Sequence, residues 1–213
     1  MKIFFVNPPF KAEYGKFSRE NRSPTVTRSG TLYYPLWLIY AAAVCQKDGF
    51  EIEFLDAPAT PLNHQESFQF IKKHGKDTKL FVIDTSTPSI FNDIDFGDKL
   101  KKLYPEVKVI LVGTHPSACP EETLRNAKYI DAVARHEFDY IVRDYARAIR
   151  DNTSYEDVKG ITYRKGEEII NLNNTLSNSS LCFSQYALEP TNPISSLPHH
   201  TTLIVRRGWF SLK

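Results

Sequence analysis

The sequence predicts an α/β fold, a parallel sheet of five strands wound on both sides by helices, followed by a β-hairpin and an extended tail. Three observations carry this. Short aliphatic and β-branched runs alternate with segments of helical period from residue 2 to about residue 152. The run Val109–Val112 is apolar without interruption, as a strand covered on both faces must be. Beyond Asn152 the alternation stops and two short strand-like runs flank a glycine-containing turn.

The elements follow in order. Lys2 to Val6 reads as the first strand, ended by Asn7-Pro8-Pro9 because neither proline can donate to a ladder. Residues 10 to 31 have no sustained period and form a polar loop too long for a compact domain unless it is functional or mobile. Pro35 to Asp48 is a helix whose apolar face runs through Leu36, Ile39, Tyr40, Ala43 and Val44, with Gly49 as its stop. Glu51 to Leu55 and Lys79 to Ile83 are the second and third strands, the latter running into Asp84-Thr85-Ser86-Thr87-Pro88. A helix from about Ile90 to Leu103 leads to the fourth strand, Val109 to Val112, and Gly113 turns the chain. Ala118 to Asn126 is a short helix, Asp131 to Ala134 the fifth strand and Glu137 to Arg150 an amphipathic helix. Five such βα units predict a Rossmann-like sheet in flavodoxin-like order. Val158–Tyr163 and Glu168–Ile170 pair as the hairpin about 164–167, residues 171–197 are a polar linker, and Thr201–Val205 is a last strand-like run. The chain divides into an α/β domain over 1–152, the hairpin over 153–171 and a linker with the start of a further domain over 172–213.

Composition narrows the function. The 213 residues suit one domain of roughly 150 plus an appendage. Lys and Arg number 27 against 25 Asp and Glu, a net charge of +2 that leaves no electrostatic footprint for nucleic acid or an anionic membrane. Cys45, Cys119 and Cys182 are scattered, so neither a disulfide framework nor a zinc site is indicated. The apolar run before Pro8 is too short for a signal-peptide core, and Pro35–Cys45 is about half of what a bilayer needs. A cytoplasmic protein is expected.

Ligands of open parallel sheets settle outside the carboxyl ends of the strands, which puts Gly113, Thr114 and His115 where a site would be built. Each has a plainer reading. His115 caps the next helix or touches a ligand. The hydroxyls of Thr85, Ser86 and Thr87 suit a ligand's amides and phosphate better than mere capping. Glu137 suits a first-turn acid complementing a helix dipole. Asp56 ends a strand where a ribose could bind, but the glycine fingerprint that should precede it is missing. Tyr33, Tyr34, Trp37 and Tyr40 read as core and domain-interface packing rather than a cofactor cage.

Four segments together resemble the N-terminal cobalamin-binding domain of cobalamin-dependent radical S-adenosylmethionine enzymes, methyltransferases and cyclases among them. They are the opening strand with Asn7-Pro8-Pro9; Tyr34-Pro35-Leu36 with its helix and Gly49 to Asp56; the Thr-Pro segment after strand three; and Val112-Gly113-Thr114-His115-Pro116 followed by Asp131 to Glu137. The resemblance implies a cobalamin-binding module, with Asn7, Pro8, Thr85, Ser86, Thr87, Gly113, Thr114, His115, Arg135 and Glu137 around the cofactor. It also implies a barrel beyond the linker, opened by Arg-Gly-Cys and a cysteine cluster motif, whereas Arg207-Gly208 is followed here by Trp209. An iron-sulfur cluster needs converging thiolates, so none is expected in this chain, which reads as truncated before its catalytic half. No histidine has an Asp two residues before it, so cobalamin would bind without a histidine lower ligand. Arg135-His136-Glu137-Phe138 puts large side chains where the family's glycine-rich stretch lies.

Two other classes stay open: another small-molecule or nucleotide module on the same architecture, and a non-catalytic interaction domain. No nucleophile–base pair or paired carboxylates stand out, so this chain alone is expected to catalyse nothing and to have no metal site of its own. The expected partners are cobalamin and, through the apolar tail Leu203–Leu212, a separately encoded barrel or a second copy.

Overall fold

The computed structural model describes residues 1–11, 16–19, 25–27 and 30–172. The linker and tail expected after residue 172 lie outside them.

Five parallel strands form the body of the sheet: β1 (Lys2–Asn7), β4 (Glu51–Asp56), β5 (Thr78–Thr85), β6 (Lys108–Gly113) and β7 (Ala132–Ala134). Their spatial order β4-β1-β5-β6-β7 is the flavodoxin-like one. The hairpin β8 (Ile161–Lys165) and β9 (Glu168–Asn171) does not stand apart as an appendage, because β8 pairs antiparallel with β7 and extends the sheet to seven strands. Gly166, at φ 63, opens the two-residue turn between them, the position where a type II′ turn requires glycine.

Alternation along the strands feeds two cores. Ile3, Phe5, Leu80, Val82, Ile110 and Val112 face helices α1 (Leu36–Lys47) and α6 (Asp139–Asp151), while Phe4, Val6, Phe81, Ile83, Val109 and Leu111 face α2 (His64–His74), α3 (Ile90–Leu103) and α5 (Pro120–Asn126). Every one of these strand residues is fully buried, which is why the strands read as continuous apolar runs. Val158, Ile161 and Tyr163 join the first core, so the hairpin is part of the same hydrophobic body.

Several expectations need correction. The buried face of α1 is Leu38, Ala41, Ala42 and Cys45, whereas Leu36 is exposed. That helix is apolar nearly all round, so more than one stripe satisfies the helical period, and Ala41 and Ala42 win because small residues bring the helix close to the sheet. Tyr33, Tyr34 and Trp37 are exposed and belong to no core, while Tyr40 is half-buried against Trp37. The loop of 10–31 contains a two-stranded antiparallel ribbon, β2 (Lys16–Ser18) and β3 (Thr25–Thr27). Thr114–Ala118 is a helical turn, α4, and α5 starts only at Pro120, whose fixed φ suits a first helical position. Helix α2, unassigned from the sequence, is opened by a capping box in which Asn63 Oδ1 accepts from Glu66 N at 3.0 Å and Glu66 Oε2 from Asn63 N at 2.9 Å.

Burial pushes the Cys45 thiol up to about 12, with Asp48 adding to the shift. A neutral thiol is a poor nucleophile. Ellman's reagent at pH 7.5 is therefore expected to spare Cys45 in the folded protein and to label it on denaturation, which labelling followed by peptide mapping would check; rapid native labelling of Cys45 would contradict the packing of α1.

Candidate functional site

The parallel register brings Asp56, Asn7, Thr85 and Gly113 to one edge of the sheet, as the carboxyl-end residues of β4, β1, β5 and β6. Between β1 and β5 the chain diverges, because β1 leads to α1 on one face and β5 leads to α3 on the other. Such a divergence opens a crevice at the strand ends.

A buried polar network fills the β1 side of that crevice. Asn7 Nδ2 donates to Asp56 Oδ1 at 2.9 Å, and Asn7 Oδ1 accepts from Arg19 Nη1 at 2.8 Å. Arg19 also donates to the Pro8 carbonyl at 2.8 Å and, through Nε and Nη2, to both oxygens of Asp93 at 3.1 and 2.6 Å. Ser89 Oγ donates to Asp93 Oδ2 at 2.5 Å and lies 3.0 Å from Ser86 Oγ. Burial raises the Asp56 carboxyl above its ordinary value against the lowering pull of the Ala59 N–H, Asn7 and Arg19.

The β5 and β6 side is different. The Thr85 side-chain hydroxyl is buried and has no hydrogen-bond partner. Beside it Gly113 holds φ 115, and a Cβ there would fall 2.1 Å from the Thr85 carbonyl oxygen and 3.1 Å from Asp84 Oδ1. Only glycine lets β5 and β6 end this close together. Thr114 is exposed and His115 half-buried on α4, which Ser117 anchors by donating to the Gly113 carbonyl at 2.7 Å.

The sequence-predicted residues divide accordingly. Asn7, Pro8, Thr85, Ser86, Gly113, Thr114 and His115 gather at the crevice edge, and Thr87 lies exposed on the short 3-10 turn after Ser86. Arg135 turns away: its guanidinium donates to the carbonyls of Gly160 and Leu172, fastening the hairpin. Glu137 is exposed and lies outside α6, which starts at Asp139 and not at Glu137, so Asp139 is the acid of its first turn; His136 takes a left-handed φ of 59, its N–H donating to Ser117 Oγ at 2.7 Å. Arg19, Asp84 and Asp93 were missed. Asp93 carried a signal, since it interrupts the inward stripe Ile90, Ile94, Gly97 and Leu100 of α3, and a carboxylate on a buried stripe demands a cationic partner. Among the described residues no cluster of three or more His, Cys, Asp or Glu could hold a metal ion, and no helix is long and apolar enough to cross a membrane.

Two outcomes follow. Gly113→Ala should cost at least about 2 kcal/mol in urea unfolding, since both the left-handed backbone and the Thr85 carbonyl resist a Cβ; an unchanged midpoint would refute the close approach. Because the Asp56 carboxyl is raised in the folded state, its stabilising contribution is full below the ordinary carboxyl range and is lost as pH rises through the raised value. Asp56→Asn should therefore gain stability relative to wild type as pH rises from about 4, the ordinary carboxyl value, and a difference constant with pH would contradict the burial of a charge there.

Comparison with known proteins agrees with this geometry. The B12 binding domain family matches residues 22–146, more than half of the chain. An uncharacterized methyltransferase of Pyrococcus horikoshii is 24% identical over 171 residues, covering 80% of this chain and 34% of its own length. The anaerobic magnesium-protoporphyrin IX monomethyl ester cyclase of Cereibacter sphaeroides is 23% identical over 174 residues, 80% of this chain and 26% of its own. Among solved structures, the cobalamin-dependent S-adenosylmethionine radical enzyme OxsB with aqua-cobalamin and S-adenosylmethionine bound superposes with a TM-score of 0.63 at 12% identity, over 81% of this chain and 22% of that one. The radical S-adenosylmethionine methyltransferase TsrM from Kitasatospora setae, with cobalamin and a [4Fe-4S] cluster bound, gives 0.58 at 13% identity, over 82% and 29%. The chain thus spans about a third or less of the length of these relatives. With the family matched over most of the sheet and the fold shared with these structures, the chain belongs to the B12 binding domain family.

Proposed function

We propose that this chain binds cobalamin at the carboxyl edge of its sheet and presents it to a radical S-adenosylmethionine catalytic unit outside the described residues. The observation that carries the reading is the buried, unpartnered Thr85 hydroxyl beside the Gly113 turn. A buried hydroxyl without a partner costs about 1–3 kcal/mol, a cost that a ligand amide or phosphate at this edge would remove. Corrin side chains and the nucleotide tail supply both groups, so the residues present fit the cofactor. Thr85, Ser86 and the 114–115 turn would hold it, while Asn7 and Arg19 form the opposite wall. Bound cobalamin would bring cobalt–carbon and one-electron chemistry that protein side chains lack.

These residues bind and orient; none is placed to move a proton. His115 sits in a helical turn, outside any Asp-x-His-x-x-Gly pattern, which supports cobalamin held without a histidine lower ligand. The names of the relatives point to methyl transfer or ring closure as the reaction of the whole enzyme. Its substrate would be bound by the part of that enzyme beyond this sheet.

Titration with hydroxocobalamin, followed by visible spectrum and calorimetric heat, should show one-to-one uptake, and none at high micromolar cofactor would overturn the reading. Thr85→Val separates ligand contact from structure. Removing an unsatisfied hydroxyl should leave the free protein as stable as wild type or more so, while cobalamin affinity falls about five- to tenfold for one lost hydrogen bond. A destabilised variant with unchanged affinity would make the hydroxyl structural.

A further inference from the structure

We infer that Arg19 is a positioning residue for the cofactor crevice: its guanidinium closes the gap between the ends of β1 and β5 and leaves the β5–β6 side, with Thr85 and Gly113, as the face open to ligand. This rests on the cobalamin reading for the nature of the ligand.

The geometry is that of a bridge across the divergence point. Nη1 donates to the two groups where the chain leaves β1, Asn7 Oδ1 and the Pro8 carbonyl, both at 2.8 Å. The other edge of the same guanidinium forks onto Asp93 in the first turn of α3, the helix that follows β5. One planar group therefore joins three stretches of chain: the strand end at 7–8, the ribbon at 16–19 and the start of α3. Both side chains of the pair are 0% exposed. Asn92 Nδ2 adds a second tie between α3 and this segment by donating to the Pro9 carbonyl at 2.9 Å.

Stability alone does not account for such a pair. Desolvating two charges offsets most of their attraction, so a well-packed apolar pair of similar size is commonly as stable or more so. What the fork supplies and an apolar pair does not is fixed direction, with four acceptors held at set angles by a rigid plane. Each side-chain polar atom of Asn7 and Asp93 is engaged by it or by its neighbours, whereas across the divergence point, at the end of β5, the buried Thr85 hydroxyl has no partner.

The test uses the full chain with Arg19→Met/Asp93→Leu, which removes both charges together, and Arg19→Lys, which keeps the charge and loses the fork. Three quantities are read: thermal midpoint, amide hydrogen exchange at Phe10, Lys11 and residues 16–19, and hydroxocobalamin affinity. We expect the double variant to keep a near wild-type midpoint, to exchange those amides at least tenfold faster while β5 and β6 stay protected, and to lose at least tenfold in affinity. Arg19→Lys should show the same two effects in smaller measure. Unchanged local exchange would overturn the bridge, and faster exchange with unchanged affinity would overturn its role in the crevice. If the double variant does not fold, Arg19→Lys decides between the same outcomes. Should wild type bind no cobalamin, the ligand reading falls, and the exchange measurement alone decides whether Arg19 holds the segment.

Discussion

A parallel sheet cannot leave either face in water, and most of this molecule follows from that constraint. Neighbouring residues of β1, such as Phe4 and Phe5, must enter opposite cores, so each face needs its own layer of helices. With both faces covered, polar chemistry has nowhere to go but the strand ends. The polar residues Asp56, Asn7 and Thr85 accordingly appear in the last position of their strands, and the glycine that lets two strands end side by side appears in the last position of a fourth.

At that edge two electrostatic solutions sit next to each other. On the β1 side a fully buried ion pair is saturated by Asn7, Ser89, Asn92 and a backbone carbonyl, a closed network that offers nothing further. On the β5 side one hydroxyl is buried and left without a partner. Buried polar groups are nearly always satisfied; of the buried hydroxyls left without a partner among the described residues, Ser67, Thr78 and Thr85, only that of Thr85 lies at the carboxyl edge of the sheet beside Gly113.

Much of the fold was legible because the constraint writes itself into the sequence. Val109–Val112 could be nothing but a covered strand, and Ile90–Leu103 appears as read. What escaped did so for physical reasons. Helix α2 buries only Ser67 and Ile71, too thin a stripe for periodicity, although Asn63-x-x-Glu66 announced its start. The face of α1 was misplaced because a helix apolar all round has no preferred stripe in sequence; only packing against the sheet selects Leu38, Ala41 and Cys45. Within the site, strand-end residues could be named from position, and Gly113 from the turn it must make. Arg19 could not, because one of three arginines in a polar loop carries no mark of burial until its partner Asp93 is seen on the inward stripe of α3. Arg135 shows the reverse: its place at a strand end suggested a ligand contact, yet its reach carried it to the hairpin backbone.

Bound cobalamin is expected at the carboxyl edge of the sheet, on its β5–β6 side. Crystals grown with hydroxocobalamin and measured at the cobalt absorption edge test it most directly. A single anomalous peak is expected outside the ends of β5 and β6, near Thr114 and His115. A peak elsewhere, for example over the lysine-rimmed groove between α2 and α3 at Phe68 and Leu103, or no peak at all, would contradict it.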